Sequence, residues 1–194
     1  MLKLSSFIFI FLFGMPLFCL NKNDIFDSIK DKYKNVESIY IEFYMNNQLK
    51  SIGKVTAKKG NKYKIDFQNR LIFCNGKTLW NYSKTDNKVL ISNFKELQNI
   101  SLEKLFFSEM KESIPIELSK VNTNDENKVW ELELKNTKTN MLYNLYLNAD
   151  YDIVSIKILD YKQEWFLKQI EINKSNKENF DFNLTDKMEV IDLR

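Results

Sequence analysis

Apolar and polar residues alternate one by one through most of this chain, and that period of two restricts the fold more than any other feature. Successive side chains on an extended strand point to opposite faces, so each alternating run marks a strand with one apolar side. In Ile39–Met45, the residues Ile39, Ile41, Phe43 and Met45 share one face, and Tyr40, Glu42 and Tyr44 share the other. In Lys62–Phe67, Tyr63, Ile65 and Phe67 oppose Lys62, Lys64 and Asp66. Arg70–Cys74 and Lys77–Tyr82 flank Asn75-Gly76, a strong signal for a two-residue hairpin turn. Lys88–Asn93 follows the turn Thr85-Asp86-Asn87, and the pattern resumes in Val129–Leu134, Met141–Leu147, Ile153–Tyr161 and Trp165–Ile172. Phe180 and Phe182 then stand at strand spacing, ahead of Met188, Val190 and Ile191.

Two stretches switch to a helical period. Asp24 is a candidate N-cap for a segment in which Ile25, Phe26, Ile29, Tyr33 and Val36 fall on one face, running to about Asn35. Ser101 can cap a short segment carrying Leu102, Leu105, Phe106 and Met110, and Pro115 closes that region. The expected architecture over residues 21–194 is therefore one mainly β (α+β) domain, an antiparallel meander of about ten strands joined by hairpins. One sheet of that length tends to curl, and helices can then lid its concave apolar face. Whether the first helix seals a core or moves as a lid, periodicity leaves open.

Residues 1–20 have another character. Lys3, the apolar run Phe7–Phe13 and the breakers Gly14 and Pro16 form a secretory signal, with cleavage near Cys19 and a periplasmic location expected. The run from Phe7 to Leu20 is short for about 30 Å of hydrocarbon, which weighs against a membrane anchor. Pro16-Leu17-Phe18-Cys19 also makes a loose lipobox in which Cys19 would be acylated, although the bulky Phe18 argues against it.

Composition then removes whole classes of function. With 29 basic and 26 acidic residues, the net charge of +3 is too balanced for a nucleic-acid binder. The chain has no histidine, the commonest general base and metal ligand. Its two cysteines, Cys19 and Cys74, cannot build a disulfide framework or a four-cysteine zinc site, and Cys74 is assigned no function. Four glycines supply no glycine-rich phosphate loop. The acidic pairs Glu131/Glu133 and Asp150/Asp152 read as the wet side of a sheet rather than a catalytic cleft. A non-enzymatic protein without cofactor, metal or nucleic-acid partner is expected.

The apolar face invites a different use. The chain holds 15 Phe, 9 Tyr and 3 Trp, more than two short helices are expected to cover. A partly covered concavity could hold an acyl chain, each buried methylene contributing about 0.8 kcal/mol. Candidate lining residues are Ile41, Phe43, Met45, Tyr63, Ile65, Phe67, Phe73, Trp130, Leu132, Tyr143 and Leu145. They read equally as ordinary core, since every β-domain carries such a stripe.

Asn75–Tyr82, NGKTLWNY, resembles the D-G-K-T-L-W-x-Y hairpin of the LolA-like family of periplasmic outer-membrane lipoprotein carriers. The similarity extends outward, to Val36-Glu37-Ser38-Ile39-Tyr40-Ile41-Glu42-Phe43 after the opening helix, to Ile52-Gly53-Lys54-Val55, and to the tail from Phe180-Asp181-Phe182 to Met188-Glu189-Val190. The resemblance implies an incomplete, curled half-barrel lidded by helices, acting as a monomer that catalyses nothing. Acylated lipoproteins would be released to it by an inner-membrane ABC-type complex, shielded, and passed to an outer-membrane acceptor. The family's arginine, held to latch the lid, falls at Lys59 within Ala57–Tyr63; Lys59 is thus a latch candidate or an ordinary solvated lysine. The tail's Pro-Pro is replaced by Leu184-Thr185-Asp186. A lipid-anchored outer-membrane receptor of the same fold is the alternative, and it requires an acylated Cys19.

The leader makes these readings separable. Intact-mass measurement of the exported protein should match a chain that starts close to residue 20 or 21. A mass carrying diacylglyceryl on Cys19 would replace the soluble carrier with the tethered receptor.

Overall fold

The computed structural model describes residues 21–45, 52–94, 102–122, 125, 127–160, 162–174 and 178–194. The signal segment with Cys19, the Ser101 cap and Tyr161 lie outside the described residues. The opening helix α1 spans Lys22–Tyr33. Its N-cap is Asn21, whose side chain accepts from the Asn23 N–H at 3.0 Å. Asp24, expected as the cap, sits in the first turn, where its charge favours the helix dipole. Val36 is buried, beyond the helix end.

Six strands follow: β1 (Ser38–Met45), β2 (Gly53–Lys58), β3 (Lys62–Phe67), β4 (Arg70–Asn75), β5 (Thr78–Ser83) and β6 (Lys88–Asn93). After the short helix α2 (Leu102–Phe107) and a 3-10 turn at Glu109–Glu112 come β7 (Ser113–Lys120), β8 (Trp130–Asn136), β9 (Leu142–Leu147), β10 (Ile153–Ile158), β11 (Gln163–Ile172) and β12 (Glu189–Asp192). They form one twelve-stranded sheet in the order β12-β6-β5-β4-β3-β2-β1-β11-β10-β9-β8-β7. The sheet curls without closing, so the fold is the expected half-barrel.

The differences have physical causes. Pro115 does not end the mid-chain region but lies inside β7, at the edge of the sheet, next to a register irregularity between Pro115 and Glu117. An edge strand tolerates a residue with no N–H, because one side of its ladder has no partner. The tail is not a strand at Phe180–Phe182; β12 comes later and pairs with β6 in parallel, the one departure from the antiparallel pattern among the described residues. The hairpin turn is also wider than two residues, since Cys74 pairs with Leu79. Asn75 Oδ1 accepts from the N–H groups of Lys77 (3.0 Å) and Thr78 (2.9 Å), while Gly76 takes φ +92°. A Cβ at Gly76 would stand 2.6 Å from the Gly60 carbonyl oxygen, so both the conformation and the space call for glycine.

Cross-strand registers assemble the concave face in rows. Ile41, Val55, Ile65 and Ile72 make one row across β1–β4. Met45, Trp165, Ile156, Leu145 and Leu132 make another across β1, β11, β10, β9 and β8. Ile41, Leu132, Leu145 and Ile156 have no exposed surface, and burial of each contributes about 1.5–3 kcal/mol. Both helices lie over this face. α1 buries Ile25, Phe26, Ile29 and Tyr33, and α2 buries Leu102, Leu105 and Phe106. They meet where the Tyr33 ring stands edge-on to Phe106, with centroids 4.9 Å apart. At the far edge, Lys22 Nζ donates to the Ile116 carbonyl of β7 at 2.5 Å.

A buried polar chain ties the 3-10 turn to the sheet. The Tyr143 hydroxyl donates to Ser113 Oγ at 2.8 Å, and Ser113 Oγ donates to the Glu109 carbonyl at 2.7 Å. Tyr143→Phe keeps the ring and leaves Ser113 its acceptor. It should cost about 1 kcal/mol in urea unfolding with the m-value unchanged.

Candidate functional site

The helices do not cover the concave face evenly. Where β1 ends and β11 begins, an apolar pocket of about 270 Å³ remains, lined by Phe43, Met45, Val55, Ile65, Phe67, Ile72, Leu102 and Trp165, with Arg70 and Gln163 as its polar members. The strand registers place these side chains together: Phe43 faces Gly53 and Leu167, Phe67 faces Arg70, and Met45 faces Trp165. Leu102, the first residue of α2, supplies the helical wall.

Four of the eleven expected lining residues, Phe43, Met45, Ile65 and Phe67, come together here. Ile41, Tyr63, Leu132, Tyr143 and Leu145 share the concave face but are packed into the core. Trp130 stacks on Tyr151, centroids 6.3 Å apart, away from the pocket. Phe73 lies on the opposite face, because its register partners are Lys64 and Trp80 rather than the Ile65–Ile72 row. There the tail covers it: Phe182 packs edge-on at 5.3 Å and also reaches Tyr82 at 5.4 Å.

Val55, Ile72, Leu102, Gln163, Trp165 and Arg70 are absent from the expected lining. Val55, Ile65 and Ile72 sit opposite one another in successive strands, so hairpin registers drawn from the sequence would have found two of them. Leu102 and Trp165 depend on how the sheet curls, which no local pattern encodes.

Lys59 stands elsewhere. Its ammonium pairs with the Glu37 carboxylate, and its N–H donates to the Glu37 carbonyl at 3.1 Å. Asn173 Oδ1 accepts from Glu37 N–H (2.7 Å) and Ser38 N–H (3.3 Å), and its amide donates to the Asn35 carbonyl at 3.1 Å. These bonds fasten the connector between α1 and β1. Glu37 precedes β1 and the pocket lies at that strand's end, so the pair is roughly 20–25 Å from the pocket along the strand. Lys59 thus ties the end of β2 to the connector that follows α1.

The polar surroundings are of another kind. A cleft of about 770 Å³ is lined by Lys58, Lys59, Lys62, Lys104, Lys111 and Lys138 among others, and lies between the β2–β3 turn and the 3-10 turn. On the convex face Lys128 pairs with Glu164 at 2.5 Å and lies 4.3 Å from the centre of the Tyr146 ring and 4.5 Å from that of Phe166. Burial, then the bond to Glu131, pushes the Tyr146 phenol up to about 12. Burial does the same to Tyr33, with Asp152 adding to it. Phenols held so high are neutral at physiological pH. Among the described residues no three His, Cys, Asp or Glu side chains gather as metal ligands, and no helix is long and apolar enough to cross a membrane.

No protein-family model and no curated protein sequence matches the chain. Among solved structures it is similar to an uncharacterized conserved protein from Thermus thermophilus, with a TM-score of 0.51 and 12% identity over 87% of this chain and 97% of that one. At that identity the likeness shows a shared fold alone. A DUF1329 family protein from Desulfovibrio piger gives a TM-score of 0.35 and 10% identity over 78% and 92% of the two chains, too slight a match to carry an argument.

Gly53 sets the shape of the pocket. A Cβ there would stand 2.4 Å from Phe43 Cζ and 2.8 Å from Phe67 Cδ2, the two rings being stacked at 5.4 Å. Gly53→Ala must push one or both rings into the pocket, at a cost of about 1–3 kcal/mol. Its urea midpoint should fall, and affinity for a fluorescent fatty-acid analogue should fall with it. Unchanged probe affinity in a destabilised variant would place the probe elsewhere.

Proposed function

We propose that this protein is a non-enzymatic carrier of acyl chains that works in the periplasm, in the manner of the lipoprotein carriers it resembles. The observation that carries this reading is the pocket at the open end of the half-barrel, whose wall is aromatic and aliphatic apart from Arg70 and Gln163. Small-molecule sites are concave, mostly apolar and fixed by a few polar groups, usually at about 300–1,000 Å³. A pocket of about 270 Å³ falls just below that range, a size suited to one chain or part of one. The half-barrel favours this use, because a sheet that does not close can widen where α2 lies across it.

Cargo follows from the chemistry of transfer. An acyl chain cannot cross an aqueous compartment exposed, and a protein that buries it offsets about 0.8 kcal/mol per methylene. Delivery then needs only an acceptor that holds the chain more tightly. Acylated lipoproteins, handed over by an inner-membrane ABC-type complex and received at the outer membrane, are the cargo that the family resemblance suggests.

A competition assay tests the reading. With a fluorescent fatty-acid analogue bound, an acylated peptide should displace the probe and the same peptide without its acyl chain should not. Equal displacement by both, or no probe binding at all, would remove the carrier function.

A further inference from the structure

Arg70 is exposed and stands where the apolar pocket opens to solvent. It opens β4, directly opposite Phe67 on β3 and Ser83 on β5, and shares the concave side with Ile72 two residues on. Its Nη1 donates to Asn81 Oδ1 at 3.3 Å, a neutral acceptor on that same side of the sheet. Among the described residues no carboxylate pairs with it. The adjacent strand's Asp66 belongs to the other face, where it registers with Lys54 and Leu71 and is engaged by Lys84. The second polar group of the pocket, the Gln163 amide, lies 3.8 Å from Met45 Sδ, on the wall formed by β1 and β11.

From this placement we infer that the pocket selects a single-chain amphiphile with an anionic head, its chain lying against Phe43, Ile65, Phe67 and Trp165 and its carboxylate or phosphate meeting the Arg70 guanidinium. The inference rests on the acyl-chain reading but departs from it in cargo, a single-chain acid in place of the lipoproteins that the resemblance suggests. A guanidinium presents a planar fork of donors that matches two oxygens of a carboxylate or phosphate at once, a geometry that neutral esters and alcohols cannot use fully. Asn81 engages one branch of the fork, which orients the rest. Gln163 adds a neutral donor and acceptor that discriminates less between heads. The small volume points the same way, since it suits one chain better than the several chains of a diacylated or triacylated lipid.

The test compares heads on one chain. Isothermal titration of the mature protein with dodecanoate and with methyl dodecanoate holds the tail constant and changes the charge. The acid should bind about tenfold more tightly than the ester, the size expected of one charge-assisted hydrogen-bonded contact. That preference should shrink as salt is raised. Arg70→Gln should erase it while leaving the ester's affinity within about twofold, and Arg70→Lys should keep part of it. Lysophosphatidic acid against monoacylglycerol repeats the comparison with phosphate, and whichever acid shows the larger preference names the natural head. Equal binding of acid and ester to the unmodified protein would overturn the inference without needing any variant, and so would a preference that survives Arg70→Gln. Failure of both acid and ester to bind would instead sink the acyl-chain reading beneath it.

Discussion

A curled sheet that stops short of closing has to shield its concave face with something other than itself, and here that duty falls on α1 and α2. The contact between Tyr33 and Phe106 joins the two covers, and the core beneath them runs continuously from Ile39 on β1 to Leu132 on β8. Everything else is placed by that requirement. The connector bound by Lys59 and Asn173 holds the base of α1, the Tyr143–Ser113–Glu109 chain holds the 3-10 turn after α2, and the pocket is the part of the concave face that the short second helix leaves uncovered. Six residues of α2 cannot span what twelve strands expose.

The two faces of the sheet are finished by different means. Inside, aliphatic rows meet helices. Outside, at the β3–β5 end, the non-regular tail lays Phe182 against Phe73 and Tyr82, with Lys58 over the ring of Phe180 and Lys64 over that of Phe73. At the β9–β11 end a charged group does the corresponding work, Lys128 lying over Tyr146 and Phe166 while paired with Glu164. An aromatic residue on this sheet is therefore no guide to which side it faces.

Sequence pattern reaches its limit at the same point. Strands with clean alternation, β1 and β3 above all, can be assigned with their inward residues, and Phe43, Met45, Ile65 and Phe67 do meet in one pocket. Arg70–Cys74 contains Leu71, Ile72, Phe73 and Cys74 in succession, so its pattern cannot say that Ile72 faces inward and Phe73 outward; only the register with β3 does. β7 is hidden because Pro115 reads as a terminator unless the strand is known to be an edge. The parallel β12 follows a long irregular tail whose course nothing local dictates, and the place of Lys59 in a motif says nothing of its partner, Glu37, which is remote in sequence.

Cys74 gives the half-barrel a natural reporter of its own breathing. The thiol has no exposed surface, accepts the Gly76 N–H at 3.4 Å, and lies between Tyr63 on β3 and Leu79 on β5, in a strand whose other end forms one wall of the pocket. A thiol-reactive reagent can reach it only during excursions in which β4 parts from the core packed against it. Its rate of labelling is then a clock for the opening of that wall, and a molecule wedged into the pocket would set the clock running faster or slower without the need for any engineered label.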